Sequence, residues 1–486
     1  MQNLFSISFF LLVSSSTFAQ FNNFNDFLSQ VNSAQSSQKQ QIIDSFISFA
    51  QNNGGIPYIE NDTTAYFLHD GTASGVQVPG DFNSWNPNLA NTTLISGTTF
   101  RFRKENFPSD SRLDYKFVAN GNWVLDPLNS KTVSGGFGPN SELSMPNYVQ
   151  PSEIEFDPNI SHGTLTNFQF TSSILSNTRQ IHIYLPANYS PSSSYPTVYF
   201  QDGTETKNLG SIKNVLDNLI AQNEIQEIIA VLVTPIDRMA EYTMNPNYAN
   251  FFANELVPHI DSTYSTIQNP NSRAVAGASL GGLVSFYISY SYPNVFGKAA
   301  GQSSSFWWNN EAMISQIQNG NTGNIDFYFD VGTFNDGLPE NQLMETALQN
   351  KGYNYQMKVW NEGHSWGNWR AHYDDFLKFF FASTVSVNEN QNEIPNKITL
   401  EQNFPNPFNP TTVINYELQI TNYENAKLTV FNILGEKVKE FELTQNKGSV
   451  TWNGTDFSGK EVSSGIYFYR LEYGSFFQTR KMLFLK

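Results

Sequence analysis

The sequence predicts a multidomain chain: a central α/β domain with a doubly wound, mostly parallel sheet, and a β-sandwich on either side of it. Three observations predict it. From about Pro151 to Ala382, apolar runs suited to buried parallel strands alternate with segments of helical spacing. From Ile56 to about Val149, and again from Leu400 to Lys486, short alternating runs are separated by turn residues, the texture of antiparallel sheets. A polar, Asn-rich linker over 383–397 sets the last of these regions apart. The length of 486 residues suits about three domains.

The elements follow in order. Leu4–Val13 is an apolar run followed by Thr17-Phe18-Ala19, a small-x-small cleavage pattern, so residues 1–19 read as a signal peptide although no Lys or Arg precedes the run. The run is too short to span a bilayer, and no later stretch is long enough. Residues 20–55 read as a helical prefix: Ile42, Ile43, Phe46, Ile47 and Phe49 recur at near-helical spacing until Asn52-Asn53-Gly54-Gly55 stops them. The N-terminal β region spans 56–149, with strand-like runs such as Thr64–Leu68 and Asp114–Val118. The α/β domain spans 150–382. Its expected strands include Ile181–Leu185, Thr197–Phe200, Ile228–Val233, Ala274–Ala276 and Asp326–Asp330. Its expected helices include Ile212–Ala221, Leu283–Tyr290 and Glu340–Lys351. Residues 398–486 form the second β region.

Composition narrows the chemistry. With 27 Lys+Arg against 43 Asp+Glu, the net charge is −16 and no basic cluster offsets it, which opposes nucleic-acid binding. The absence of Cys excludes disulfides, thiolate metal sites and a Cys nucleophile. With 41 Phe, 23 Tyr and 8 Trp there is ample material for packed cores.

The strongest chemical signal is Gly277-Ala278-Ser279-Leu280-Gly281, between the strand-like Ala274–Ala276 and a helix-like segment. A sharp strand-to-helix turn lifts a serine hydroxyl above the sheet, and flanking glycines allow the tight backbone. Ser279 is the candidate nucleophile. A base must follow it, and only His364 and His372 do. His364 lies in the Gly-containing loop Glu362–Trp366, whereas His372 sits in the last helix-like segment, so His364 is the candidate base. For the orienting acid, Asp330, Asp336 and Glu340 compete. Asp336, in the loop Gly332–Gly337 after a strand, is preferred, with Glu340 the main rival. The order Ser…Asp…His matches the α/β-hydrolases. An oxyanion hole needs two backbone donors: Leu280 is one, and Thr204, in the turn after Thr197–Phe200, is the other, with Gly203 the alternative. Trp307, Trp308, Trp366 and Trp369 fall near these loops and suit an aromatic wall or plain core packing.

Several stretches carry family resemblances. Val78-Pro79-Gly80-Asp81-Phe82-Asn83-Ser84-Trp85 and Leu113–Val118, followed by Gly121-Asn122-Trp123, resemble the early-set Ig-like modules grouped with family 48 carbohydrate-binding modules. Trp85 and Trp123 are read as packing residues, with sugar stacking the alternative. Tyr199–Gly203, Pro235-Ile236-Asp237-Arg238 with Glu241-Tyr242, Asn254–Pro258, Gly277–Leu283, Gly332–Asp336 and Gly363–Trp366 together resemble the Putative esterase family (esterase D type), which includes enterochelin esterases and family 1 carbohydrate esterases. The resemblance implies triad roles for Ser279, Asp336 and His364 and no metal or organic cofactor. The Arg238/Glu241 pair is expected to brace the fold, with substrate contact by Arg238 the alternative. Leu400–Pro410, Val430–Glu436 and Ser464–Tyr467 resemble the type A C-terminal sorting domain of type IX secretion. That implies the type IX secretion machinery as a partner, export across a Bacteroidetes-type outer membrane, and removal of this domain.

The expectation is therefore an exported serine esterase acting on feruloyl or acetyl esters of polysaccharide or oligosaccharide. Its rival is a siderophore trilactone esterase, for which Arg238 and Lys207 are candidate cations. A rival of another class is a non-catalytic surface binding protein on a hydrolase scaffold.

Overall fold

A computed structural model describes residues 20–383, 398–418, 426–432, 436–443, 445–473 and 476–486. The expected signal peptide, nearly all of the expected linker and the Ile433-Leu434-Gly435 part of the sorting motif lie outside them. The chain divides into two compact units near residue 384.

The first unit is organised around an eleven-stranded mixed sheet. Six strands form its parallel centre, in the order Ile229–Val233, Thr197–Phe200, Arg273–Ala278, Lys298–Gln302, Asp326–Phe334 and Asn354–Gly363. The antiparallel strands Thr164–Ser172 and Asn177–Leu185 extend one side. Strands such as Ile229–Val233, buried at every position, carry apolar residues on both faces because helices cover both. One face packs Phe251, Phe252, Phe286 and Met313, and the other packs Leu216, Phe376 and Phe380.

The expected boundary at residue 150 does not divide the structure into separate sheets. Arg112–Tyr115, Gly138–Ser144 and Thr132–Gly135 continue the same sheet beyond Asn354–Gly363, through the pair Glu362↔Arg112. Without them that strand would present an open edge of unpaired backbone groups. The Arg112 guanidinium, fully buried at the junction, pairs with Asp114 and Glu142 and donates to Ser365 Oγ.

The rest of the N-terminal region is a four-stranded antiparallel sheet, with Thr64–Asp70 and Phe100–Asn106 at its centre, and a three-stranded sheet of Val76–Gln77, Phe117–Ala119 and Asn122–Val124. Phe67, Val78, Phe107, Leu113, Tyr115 and Leu143 form its core. The helical prefix is two helices, Phe24–Ser33 and Ser36–Asn52. Their buried Phe24, Phe27 and Phe46 pack on the four-stranded sheet, with Phe24 stacked on Tyr66 at 3.9 Å.

The second unit is strand-rich. A three-stranded sheet (Ile398–Leu400, Thr412–Leu418, Lys447–Trp452) and a four-stranded sheet (Lys437–Glu442, Lys427–Phe431, Gly465–Tyr473, Phe476–Phe484) share one core around the buried Trp452.

Candidate active site

Ser279 sits between the strand Arg273–Ala278 and the helix Leu280–Ser291, with φ 59° and ψ −123°. A non-glycine residue at positive φ is strained and is held only where its surroundings determine it. Here Ser279 N–H donates to Gln302 C=O at 2.8 Å, and Ser305 N–H donates to Ser279 C=O at 3.1 Å. Gly277 is required by the close return of the helix: a Cβ there would lie 2.7 Å from the Gly281 backbone.

His364 follows the strand Asn354–Gly363, and Asp336 follows Asp326–Phe334, at the same end of the sheet as Ser279. His364 Nε2 lies 3.0 Å from Ser279 Oγ, and His364 Nδ1 lies 2.5 Å from Asp336 Oδ1. A carboxylate at Nδ1 fixes the proton there and leaves Nε2 to accept from the serine hydroxyl. The second oxygen of Asp336 accepts from Ser303 Oγ at 2.6 Å and Gly332 N–H at 2.5 Å. Trp369 Nε1 donates in turn to Ser303 Oγ at 2.9 Å and meets the His364 ring edge-to-face at 5.0 Å. The Asp336 side chain is buried, while that of His364 is 40% exposed.

The competing groups lie elsewhere. Asp330 is buried inside its strand, near Gln302 and the Tyr328 hydroxyl, and burial pushes it up to about 8. Glu340 is in the first turn of the helix Leu338–Lys351, whereas His364 Nδ1 faces Asp336. His372 bonds Glu362 at 2.7 Å and stacks on Trp360.

Leu280 heads its twelve-residue helix, so its N–H points out of the helix N-terminus beside Ser279. The turn after Thr197–Phe200 places Asp202 at φ 51° and opens the short helix Gly203–Asn208. Thr204 Oγ1 pairs with Thr234 Oγ1 at 3.0 Å.

Arg238 and Glu241 each engage a different partner within the fold. The two do not pair with each other. Glu241 takes a bidentate contact from the buried Arg179, at 2.8 and 3.0 Å. Arg238 donates to both oxygens of Asp202, at 2.8 and 3.0 Å, and lies over the Tyr242 ring. A fork-shaped guanidinium matches a carboxylate in this way.

Ser279 and His364 open into a cleft of about 1150 Å³. Trp366 and Trp369 line it, but Trp307 and Trp308 do not. Trp307 is 55% exposed, and Trp308 packs against the core of the central domain. The opposite wall comes from the N-terminal region: Trp85, Trp123 and Phe137, with Lys116 and Asn140. Trp85 and Trp123 stack at 6.2 Å with 29° between their planes. Trp123 is 48% exposed and Phe137 fully so, which places both outside the packed core. Sequence reasoning also passed over Ser303, because the strand Lys298–Gln302 that sets it at the carboxyl edge of the sheet carries little strand signal of its own.

Residues 172–380 match the family model described as "Putative esterase". These residues form an esterase-family domain. Residues 392–485 match the CHU_C type IX secretion signal domain, so the chain carries an address for export to the cell surface or beyond. No described helix is long and apolar enough to cross a membrane. The iron(III) enterobactin esterase of Escherichia coli O6:H1 is 26% identical over 212 residues, which is 42% of this chain and 52% of that protein. The endo-1,4-beta-xylanase/feruloyl esterase of Xylanibacter ruminicola is 27% identical over 154 residues, 28% of this chain and 21% of that protein. The ferric enterobactin esterase structure from Salmonella typhimurium superposes with a TM-score of 0.59 at 20% identity, covering 66% of this chain and 94% of that one. At that identity the likeness is one of fold.

Proposed function

We propose that the exported chain is a serine esterase in which Ser279, His364 and Asp336 form the catalytic triad. The observation that carries this reading is the unbroken relay of 3.0 and 2.5 Å from Ser279 through His364 to a buried carboxylate. Ser279 Oγ attacks the ester carbonyl carbon while His364 Nε2 takes its proton. Asp336 orients the ring and stabilises the imidazolium that forms. The tetrahedral oxyanion is met by the Leu280 N–H and a second backbone donor in the turn after Thr197–Phe200, with the Thr204 N–H the first choice and that of Gly203 the alternative. His364 then gives its proton to the departing alcohol oxygen, leaving an acyl-serine. Water attacks the acyl-serine by the same route in reverse, releasing the acid and restoring Ser279.

The cleft favours an acyl ester of a saccharide, feruloyl or acetyl. Trp85, Trp123, Phe137 and Trp366 offer flat apolar faces for a phenolic or sugar ring. The N-terminal motifs around Trp85 and Trp123 support reading that region as an early-set Ig-like, carbohydrate-binding-like module. Charge weighs against an anionic ferric tris-catecholate. Asp202 and Glu205 line the cleft against Lys116 and Arg238, and Arg238 is already engaged by Asp202, so no free cluster of cations faces the bound group among the described residues. Lys207 is exposed on the short helix Gly203–Asn208 and does not line the cleft.

The test is kcat/KM on methyl ferulate, on feruloylated and acetylated xylo-oligosaccharide, and on the siderophore trilactone with and without iron. The saccharide esters should lead. A tenfold preference for the trilactone, about 1.4 kcal/mol in transition-state binding, would reverse the assignment. Failure of a fluorophosphonate to label Ser279 in the folded protein would instead support a binding role without catalysis.

A further inference from the structure

Asp336 and His364 both stand on loops at the end of a strand pair whose register is irregular. The strands Asp326–Phe334 and Asn354–Gly363 shift between Gly332 and Phe334, and their last partners are Phe334 and Gly363, the residues just before the two loops diverge. The sheet ladder therefore stops short of holding either triad loop. What meets both loops is the N-terminal motif at Asp81.

The contacts are specific. Asn335, immediately before Asp336, donates from Nδ2 to the Asp81 carbonyl at 2.5 Å, and its Oδ1 accepts from Ser84 Oγ at 2.8 Å. Both ends of one amide are thus pinned by residues 81 and 84. Gly363, immediately before His364, has its backbone against Asp81, since a Cβ there would lie 2.3 Å from Asp81 Cγ. The Asp81 carboxylate is itself held from two sides: Trp85 Nε1 donates to Oδ1 at 2.9 Å, and Asp114 N–H donates to Oδ2 at 2.8 Å. Phe107 adds an apolar contact to Phe334 at 5.9 Å between ring centres. Asp81 is 3% exposed.

We propose that Asp81 is a positioning residue for the esterase reaction, tying the Trp85 wall of the cleft through Asn335 and Gly363 to the acid and the base. The proposal rests on the triad reading given above. Its physical basis is tolerance. A misplacement of reacting groups by about 1 Å costs on the order of a hundredfold in rate, and neither loop has a ladder partner at the point where its catalytic residue begins. A substrate ring pressed on Trp85 acts on Asp81 directly, so binding energy remote from the scissile bond can be expressed in kcat rather than in KM. The N-terminal region is then part of the catalytic apparatus, beyond any glycan it holds.

The test uses the full chain and p-nitrophenyl acetate, an ester too small to need the aromatic wall. Asn335 lies at φ 52°, so Asn335→Gly removes both side-chain contacts while suiting the left-handed backbone. Labelling to completion with a fluorophosphonate counts active sites, and thermal unfolding reports stability. Expected is a fall in kcat per labelled site of about tenfold or more, with KM within about twofold and an unfolding temperature near that of the parent. Asp81→Asn, which keeps an acceptor for Trp85, should lose less than Asp81→Ala. Should Asn335→Gly not fold, Ser84→Ala removes one of the two pins from an exposed position and should lower kcat by about threefold, within the same tolerance argument. Unchanged kcat per labelled site in the folded variants overturns the proposal. If the parent itself is not labelled at Ser279, the triad reading has failed, and that result is distinct from a silent Asn335→Gly.

Discussion

His364 and His372 each hydrogen-bond a carboxylate, at 2.5 Å to Asp336 and 2.7 Å to Glu362. Their surroundings separate them. The His364 ring is partly open, and its second nitrogen faces Ser279 Oγ. The His372 ring lies flat on Trp360 at 4.0 Å, and its second nitrogen faces Asp375 at 3.7 Å. Burial by itself would lower His372, but Asp375, Glu362 and Asp330 outweigh burial and push it up to about 10. A histidine held protonated that far above neutrality cannot serve as a base at neutral pH; it works as a buried cation that ties the last helix to the sheet. A His–carboxylate pair is therefore not a catalytic signature until its second nitrogen has somewhere to send a proton.

The largest effect that bears on this contrast is at the nucleophile. Ser279→Ala should lower p-nitrophenyl ester turnover by about 10⁶-fold with folding intact; a circular dichroism spectrum matching the parent, together with residual activity above about a hundredth, would remove Ser279 from the mechanism. Next is the acid. Asp336→Asn should cost about 10⁴-fold in kcat through the wrong His364 tautomer, while Glu340→Gln should stay near the parent rate; the reverse ranking moves the acid role to Glu340.

At the other histidine the sign changes from rate to stability. His372→Gln should leave kcat near the parent value but lower the unfolding free energy by about 3 kcal/mol, the usual cost of breaking a buried pair. Because the folded His372 titrates near 10 and an unfolded histidine near about 6.5, its contribution is complete below the lower value. It is lost as pH rises through the upper one. Denaturant melts between pH 7 and 10 should therefore decline more steeply for the parent than for His372→Gln, and parallel curves would sink the buried-cation reading. The smallest effect is on the far wall of the cleft. Trp123→Ala should raise KM for a feruloylated oligosaccharide by about fivefold, equivalent to about 1 kcal/mol of lost ring contact, and leave KM for p-nitrophenyl acetate unchanged.

Much of the fold was legible because its signals are local. The helix expected over Ile212–Ala221 and the strand expected over Thr197–Phe200 occupy those residues in the structure. Lys298–Gln302 was missed because Lys-Ala-Ala-Gly-Gln has none of the β-branched or aromatic density that marks a strand. It lies in the middle of the sheet all the same, its small residues leaving room for Gly282 and Phe286 of the adjoining helix.

By itself, the sequence determined the elbow around Ser279, the chain order of its serine, acid and base candidates, the esterase-family domain and the secretion signal behind it. Each of these is a short run of residue types whose spacing is set by a local turn or a strand-to-helix transition, so the information lies within a few residues. Tertiary structure alone decided the rest: that Arg112–Tyr115 closes the edge of the central sheet, that Arg238 grips Asp202 while Glu241 grips Arg179, and that Trp85 and Trp123 rather than Trp307 and Trp308 face the cleft. Asp81 and Asn335 stand 254 residues apart. A contact of that kind leaves no periodicity in either segment, because its geometry is created only when two separately patterned regions pack against the same sheet edge.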